Sequence, residues 1–474
     1  MPGPWATDRR LLVGVFLLSC LIVGLGKAPL ATVPLDPVAG TPSQDEALYA
    51  HGALRMAAGE DWLTPKFLGR PLLVKPPLLQ WLSAASVKTF GVAAWSLRLP
   101  SVLAAAGVLC VVFYITGPVG WLLLASCNLW RERAGLVLMD DLLTLFYLLA
   151  LLVWIRDPKL EGRWAAVQVG LCVGLAVMTK WFAGLLPLGL FLYARPCWRK
   201  WLVTGATVAA VALPWHVYQW WANHDWFLAE YLGVELLGYA FDAPVQASSE
   251  GWAGFYLPRL LWLLPVALPL AARRWERAGL VWVAILLAGI MAYSYRNTTY
   301  LAPLAPALLL ACRGPIAPVW AMGALGVFAG WPVPQPQLPI TPEFAGREIL
   351  HLGPDDQLRS SLYPGAKVRY VFLVEHLPPN GPLDFEKLGI AVPAGQFLQK
   401  PENRADVVLC KDLDALRQLI LESPQRDFIL PLKVWKALGI QSPHEVSLSI
   451  RAILRSRQSG PQSGFNRIFT GFRL

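Results

Sequence analysis

Charge is scarce in this chain: only 15% of its 474 residues are Asp, Glu, Lys or Arg, 55% are hydrophobic, and the mean hydropathy is +0.46. Those proportions exclude an ordinary soluble globular protein and imply a polytopic membrane protein. The 7 cysteines offer neither a disulfide framework nor zinc-ligand spacing. Cys20, Cys110, Cys127, Cys172, Cys197 and Cys312 lie in or beside apolar segments, and Cys410 stands in a polar tail. Histidine is equally unhelpful: His51, His216, His224, His351, His376 and His444 lack metal-ligand spacing and read as polar surface residues. No internal repeat of fixed period is visible. The formal charge of +10 is not a nucleic-acid footprint, because Lys and Arg come in twos and threes between apolar segments, a pattern that reports topology. Tryptophan, by contrast, is abundant at 22 residues. Trp215, Trp220, Trp221 and Trp226 lie beside polar positions, which suits rings at the headgroup level, with packing inside a bundle as the alternative.

A helix needs roughly 20 apolar residues to cross about 30 Å of hydrocarbon. Candidate spans are residues 11–31, 99–115, 119–138, 142–156, 164–180, 182–195, 201–219, 252–271, 278–294, 300–312 and 316–332. The fold class expected is an all-α polytopic membrane protein of roughly 11–13 transmembrane helices plus interfacial helices. The first span follows Arg9 and Arg10 and reads as a retained helix rather than a cleaved signal, since many spans follow. The apolar stretch 77–90 reaches only about 21 Å and carries Gln80, Ser83 and Lys88 on one broad face, so it is expected to lie along the interface.

Positive-inside counting places Arg9 and Arg10, then Arg156, Lys159 and Arg163, then Arg195, Arg199 and Lys200, then Arg273, Arg274 and Arg277 on the cytoplasmic side. The loop holding Asp45, the pair Asp140-Asp141, Lys180, the Trp-rich segment 219–251 and the connection 295–300 fall outside. After Pro332 the composition turns polar, and residues 334–474 read as a small C-terminal α/β soluble domain on the outer face, following a membrane domain over 1–333 whose first outer loop is 32–98. In that tail Arg369–Val374 and Asp406–Leu409 are predicted strands, and Asp412–Leu421 is a predicted helix that Asp412 could cap.

Against this apolar background the outer charges need an explanation. Asp45 and Glu46 are adjacent, so on a helix they point about 100° apart and at most one can be the reactive group; an N-cap role is the alternative for Asp45. Asp140 and Asp141 follow an apolar run, and acids at mid-membrane cost roughly 2.5–3.5 kcal/mol each, so they belong at the interface or in a wet cavity. There Asp140 could orient a basic residue or a sugar hydroxyl, or merely mark a boundary. Lys180 and Lys75 lie outside against the charge bias, and with Arg259 and Arg296 they could supply cationic donors to a phosphate. Snorkelling is the alternative for Lys180.

Asp45-Glu46-Ala47-Leu48-Tyr49, Gly59-Glu60-Asp61-Trp62-Leu63-Thr64-Pro65, Lys75-Pro76-Pro77-Leu78-Leu79-Gln80-Trp81-Leu82 and Arg98-Leu99-Pro100-Ser101 resemble the first outer loop of the aminoarabinose transferase branch of the GT-C glycosyltransferases. Asp140-Asp141-Leu142-Leu143-Thr144, Met178-Thr179-Lys180, Leu213-Pro214-Trp215 and Tyr300-Leu301-Ala302-Pro303 follow in the family's order, and protein O-mannosyltransferases resemble it more distantly. The resemblance covers roughly residues 10–330. It implies an inverting transfer of a sugar from a polyprenyl-phosphate carrier, such as undecaprenyl phosphate, to a lipid, glycan or protein acceptor on the periplasmic side of a bacterial inner membrane. On that reading Asp45 is general base or positioning charge, Lys75 binds the donor phosphate, Lys180 pairs with an acid or that phosphate, Asp140 buttresses the site and Tyr300 closes it. Tyr49 and Asp141 become the acceptor- or sugar-facing positions, Glu46 stays with the catalytic set, and Arg259 and Arg296 with the phosphate-binding set.

The departures matter as well. Relatives commonly carry Arg where this chain has Leu48, an acidic residue where it has Val74, and a His where it offers Ser248 and Ser249. The last two resemble a metal pair, so no cofactor is expected here; a divalent metal would lack its usual ligands, and aminoarabinose is doubtful as the sugar. The chain is expected to act as a monomer among membrane lipids, without nucleic acid. A carrier or flippase that binds the same lipid without breaking the glycosidic bond is the alternative function.

Overall fold

A computed structural model of the chain describes residues 8–25, 44–67, 70–131, 133–228, 231–232, 252–267, 275–293, 298–312, 316, 348–352, 367–373, 407–422, 427–429 and 437–439. Apolar helices dominate it. Among the described residues, three helical stretches are long and apolar enough to cross a membrane: Trp95–Ser126, Ala165–Ala194 and Trp198–Ala222. The predicted span 316–332 lies outside the described residues apart from Ile316, as does Arg296.

Helix α1 (Arg9–Leu25) packs on α4 (Ala94–Ser126), and between them in sequence come α2 (Gln44–Ala57), a two-residue antiparallel pair β1 (Lys66–Phe67) and β2 (Arg70–Pro71), and α3 (Leu78–Phe90). The stretches expected as two spans at 99–115 and 119–138 form α4, broken at Gly117, whose φ of 80° only glycine adopts at no steric cost. The second of these stops at Ser126, a correction. Asn128, Arg131 and Arg133 make the remainder too polar to span, and it becomes turns around the short α5 (Asn128–Arg131).

Next come α6 (Asp140–Arg156) and α7 (Ala165–Lys180), a 3-10 segment (Trp181–Leu188) continuing into α8 (Gly189–Ala194), and α9 (Trp198–Ala222). Small residues let α7 approach α9: a Cβ on Gly170 would meet Thr207 Cβ at 2.6 Å, and one on Gly174 would meet Val211 Cβ at 2.8 Å. The opposite side of α9 is left to lipid, with Leu202 61% and Val217 59% exposed. Helices α10 (Trp252–Leu260), α11 (Arg277–Met291) and α12 (Leu304–Leu310) complete the apolar set.

Hydrogen bonds sort the helix ends into two groups. At one end Arg156 donates to the Tyr114 hydroxyl at 2.6 Å and Lys159 donates to the Ala194 carbonyl at 2.8 Å. At the other, Glu46, Arg98, Val137, Asp140 and Lys180 meet, and α9 binds the 62–64 loop. Helix α6, about 25 Å long by its 17 residues, separates the groups. The paired charges thus lie at the ends of α6 and not along its apolar middle.

The 13-residue α3 is too short to span, but its polar face needs correcting. Gln80 and Ser83 point inward; Ser83 donates to the Leu97 carbonyl at 3.0 Å, and a Cβ on Gly52 would meet Gln80 Nε2 at 2.8 Å. Only Lys88 faces out, over the Trp62 ring at 5.7 Å.

In the tail, β3 (Glu348–Leu352), β4 (Lys367–Leu373), β5 (Val407–Cys410) and β6 (Asp427–Ile429) pair in parallel in the order β5-β4-β3-β6. Helix α13 (Leu413–Glu422) follows β5, and Asp412 accepts from the Ala415 N–H at 2.8 Å as its cap. Leu350, Val371, Leu416, Ile420 and Phe428 form the core of this part.

Candidate active site

Asp45 lies inside the first turn of α2, one residue past its start at Gln44, rather than at the cap. Its side chain falls outside the described residues, but that of its neighbour is fully defined. Arg98 grips Glu46 through two hydrogen bonds, Nε to Oε1 at 2.7 Å and Nη2 to Oε2 at 3.1 Å. The Val137 N–H donates to the same Oε1 at 3.0 Å. Glu46 is 1% exposed and Arg98 6%, so the pair sits in a low-dielectric interior where a single partner would be an uncompensated charge. Glu46, expected among catalytic groups, is therefore a support: its oxygens are committed to holding α2 against α4 and the approach to α6.

That approach carries the next charges. Asp141 is 4% exposed and accepts from the Gly135 N–H at 2.7 Å, closing the turn that leads into α6. Gly135 has φ of 80°, and a Cβ there would meet Val23 Cγ1 at 2.6 Å. Asp141 is thus a turn-holding carboxylate rather than a sugar-facing one. Tyr49 is likewise buried, in the cluster with Leu79, Leu97, Leu138 and Met139, where α2 meets α3, α4 and the approach to α6.

Asp140 is directed differently. Its Oδ1 accepts from Lys180 Nζ at 2.8 Å, with the two side chains 13% and 19% exposed. Lys180 Nζ also stands 5.2 Å from the Tyr300 ring centroid, within cation–π range. Three expected site residues from separate segments thus converge. Lys75 is half-buried between β2 and α3, and α3 packs on α7, the helix that ends on Lys180. Arg259 donates from Nη1 to the Phe255 carbonyl at 2.5 Å and lies 3.9 Å from the Phe255 ring, on a helix that packs against the Tyr300 segment.

The chain turns sharply after Lys180. Trp181 has φ 37° and ψ −119°, a backbone shape close to the first central position of a type II′ turn, which favours glycine. For a bulky L-residue this costs about 1–3 kcal/mol. Packing holds it there: the Trp181 ring lies 3.8 Å from Tyr231 and 3.7 Å from Phe182. Tyr231 is fully buried, stacked on Phe227 at 4.7 Å and hydrogen-bonded to His216 Nε2. His216 Nδ1 donates to the Ala212 carbonyl at 2.7 Å, so in the neutral ring Nε2 accepts from the Tyr231 hydroxyl. His216, read from sequence as a surface residue, is half-buried in an aromatic cluster. Three residues after Trp181, Gly184 lies so close to α7 that a Cβ would stand 2.2 Å from the Val177 nitrogen.

The 62–64 loop is strapped across this end. The Leu63 carbonyl accepts from Trp215 Nε1 at 2.8 Å and Gln219 Nε2 at 2.6 Å, while Asn223 donates to Thr64 Oγ1 at 3.2 Å. Among the described residues no group of three or more His, Cys, Asp or Glu could hold a metal ion, and the position before Lys75 is Val74.

Residues 74–220 match the family model described as dolichyl-phosphate-mannose-protein mannosyltransferase. The chain is 29% identical over 306 residues to the undecaprenyl phosphate-alpha-4-amino-4-deoxy-L-arabinose arabinosyl transferase of Pseudomonas aeruginosa strain UCBPP-PA14, covering 58% of this chain and 54% of that one. The chain is thus similar to aminoarabinose transferases over about half their length. A second such transferase, from Shewanella sediminis, is 25% identical over 319 residues, with 60% of this chain and 56% of the relative covered. The chain therefore spans about half the length of the curated relatives it matches. Among solved structures, ArnT from Cupriavidus metallidurans bound to undecaprenyl phosphate superposes with a TM-score of 0.49 at 19% identity, over 68% of this chain and 61% of that one.

Arg98 and Trp181 were not on the list of candidates drawn from the sequence. Arg98 was detectable, because an Arg at the start of an apolar helix must find an acid. No local signal announces a positive φ at Trp181.

Proposed function

We propose that the chain is an inverting glycosyltransferase that moves a sugar from a polyprenyl-phosphate donor, undecaprenyl phosphate-like, to a cell-envelope acceptor on the periplasmic side of a bacterial inner membrane. The observation that carries this reading is the meeting of Asp140, Lys180 and Tyr300 at the helix end where α2 presents Asp45. The relatives that the chain resembles are named for an undecaprenyl phosphate-linked sugar.

In the proposed reaction the Asp45 carboxylate takes the proton of an acceptor hydroxyl, whose oxygen attacks the anomeric carbon. The bond from that carbon to the phosphate oxygen breaks, and its electrons leave with polyprenyl phosphate. Lys75 and Lys180 hold the phosphate, with Arg259 as a further cationic donor, because charge-assisted donors stabilise the departing anion. Asp140 keeps Lys180 aimed. Glu46 and Asp141 brace these groups, and no metal cofactor is required. Base catalysis of this kind contributes on the order of 10² to 10⁴ in rate. Residues 1–333 form the catalytic membrane unit and residues 334–474 a periplasmic α/β unit.

Native mass spectrometry of the full chain with undecaprenyl phosphate tests the donor half of the reading. Lys75→Met and Lys180→Met should each weaken binding relative to wild type. Equal binding by all three would remove these lysines from the phosphate site.

A further inference from the structure

Trp181 is the one bulky aromatic among the described residues held at positive φ, and it directly follows the lysine that reaches Asp140. Helix α7 ends there: the Trp181 N–H still bonds to the Val177 carbonyl, while Lys180 (φ −147°, ψ 46°) and Trp181 together turn the backbone out of helical geometry. The direction in which Lys180 leaves α7 is therefore coupled to the shape that Trp181 adopts. Three features fix that shape independently. The ring is stacked on Tyr231, whose hydroxyl is tied to His216. Gly184 brings the following segment against the α7 backbone. The Tyr147 hydroxyl donates to the Ala183 carbonyl at 2.5 Å.

We propose that Trp181 is a positioning residue for Lys180: its ring, clamped by Tyr231 and His216, holds a strained turn that keeps the ammonium on Asp140 and Tyr300 and away from lipid. The inference rests on the proposed role of this site, yet its test does not need the transferase activity. Glycine accepts this backbone shape freely but brings no ring, so Trp181→Gly keeps the turn accessible while releasing its grip. Phenylalanine keeps a ring for the stack. Tyr231→Leu removes the other half of the clamp and leaves Trp181 itself intact.

The experiment is amine labelling of the full chain in detergent with acetic anhydride, reading Lys180 by mass spectrometry of its peptide against Lys88, whose ammonium is 5.7 Å from the Trp62 ring. Trp181→Gly should label several-fold faster at Lys180 with Lys88 unchanged, Tyr231→Leu should do the same, and Trp181→Phe should match wild type. The same variants are then measured for affinity to undecaprenyl phosphate, where the two fast-labelling proteins should bind more weakly and Trp181→Phe normally. Unchanged Lys180 labelling in Trp181→Gly, or in Tyr231→Leu where the glycine variant does not fold, overturns the proposal. If wild type itself does not bind undecaprenyl phosphate while the labelling pattern holds, the donor reading fails and the positioning role stands.

Discussion

Lys180 and Asp140, forty positions apart, are joined by a hydrogen bond of 2.8 Å, and each is largely shielded from solvent. Removing one partner leaves the other charge in a poorly solvated place, whereas removing both does not. Lys180→Met and Asp140→Asn should each lower stability by about 1–3 kcal/mol, and the double variant should cost less than the sum of the two. Thermal unfolding in detergent measures this. Additive losses would mean the two groups do not interact.

Glu46 and Arg98 form the more deeply buried pair, and a half-pair there should cost about 3–5 kcal/mol. Arg98→Met alone is expected to be close to non-folding. Adding Glu46→Gln should recover part of the loss, because the amide oxygen can still accept from the Val137 N–H. Expression level and melting temperature of the single and double variants decide it; a double variant worse than Arg98→Met would show that the carboxylate's other contacts dominate.

Gly184 should tolerate nothing larger. A methyl group would lie 2.2 Å from the Val177 nitrogen, which is backbone and cannot rotate away, so Gly184→Ala should cost at least about 3 kcal/mol. Gly14→Ala, with nothing within 4 Å, is the control and should be neutral or slightly stabilising. Comparable melting points for the two would contradict the close approach of the 3-10 segment to α7.

In the tail, burial pushes the Cys410 thiol above its ordinary value of 9.0, and Asp412 adds to the shift. A thiol whose value is higher folded than unfolded holds its proton preferentially in the folded state, so its contribution to stability is complete below the unfolded value and is lost as pH rises through the folded one. Stability of the region around β5 should therefore decline above about pH 9, and Cys410→Val should flatten that decline. Iodoacetamide modification of Cys410 over the same pH range gives a second readout, expected to lag behind an ordinary thiol.

Much of this architecture was legible before any coordinates. Apolar segment lengths located most of the helices, and Arg156 and Lys159 lie at one end of α6 with Asp140 and Lys180 at the other, because the cost of burying charge leaves few ways to arrange them. The expected strands near Arg369 and Asp406 overlap β4 and β5, but β3 and β6 were missed. Asp427–Ile429 is too short for its alternation to stand out. At the site, residue type suggested which charges mattered but not how they are divided. Asp45 from Glu46 and Asp140 from Asp141 are distinguished by partners distant in sequence, Arg98 and Val137 for Glu46 and Lys180 for Asp140, which no local pattern records. The sharp turn at Trp181 depends on Tyr231, fifty residues later, and was invisible for the same reason.

The central claim is that sugar is transferred from a polyprenyl-phosphate carrier at the end of the bundle where α2 begins. Mass spectrometry of envelope lipids and glycans, from cells lacking the chain and complemented with wild type or Asp45→Asn, tests it most directly. A sugar-modified species should appear with wild type and be absent with Asp45→Asn, although both proteins bind undecaprenyl phosphate. The same species at the same abundance with Asp45→Asn would contradict the account.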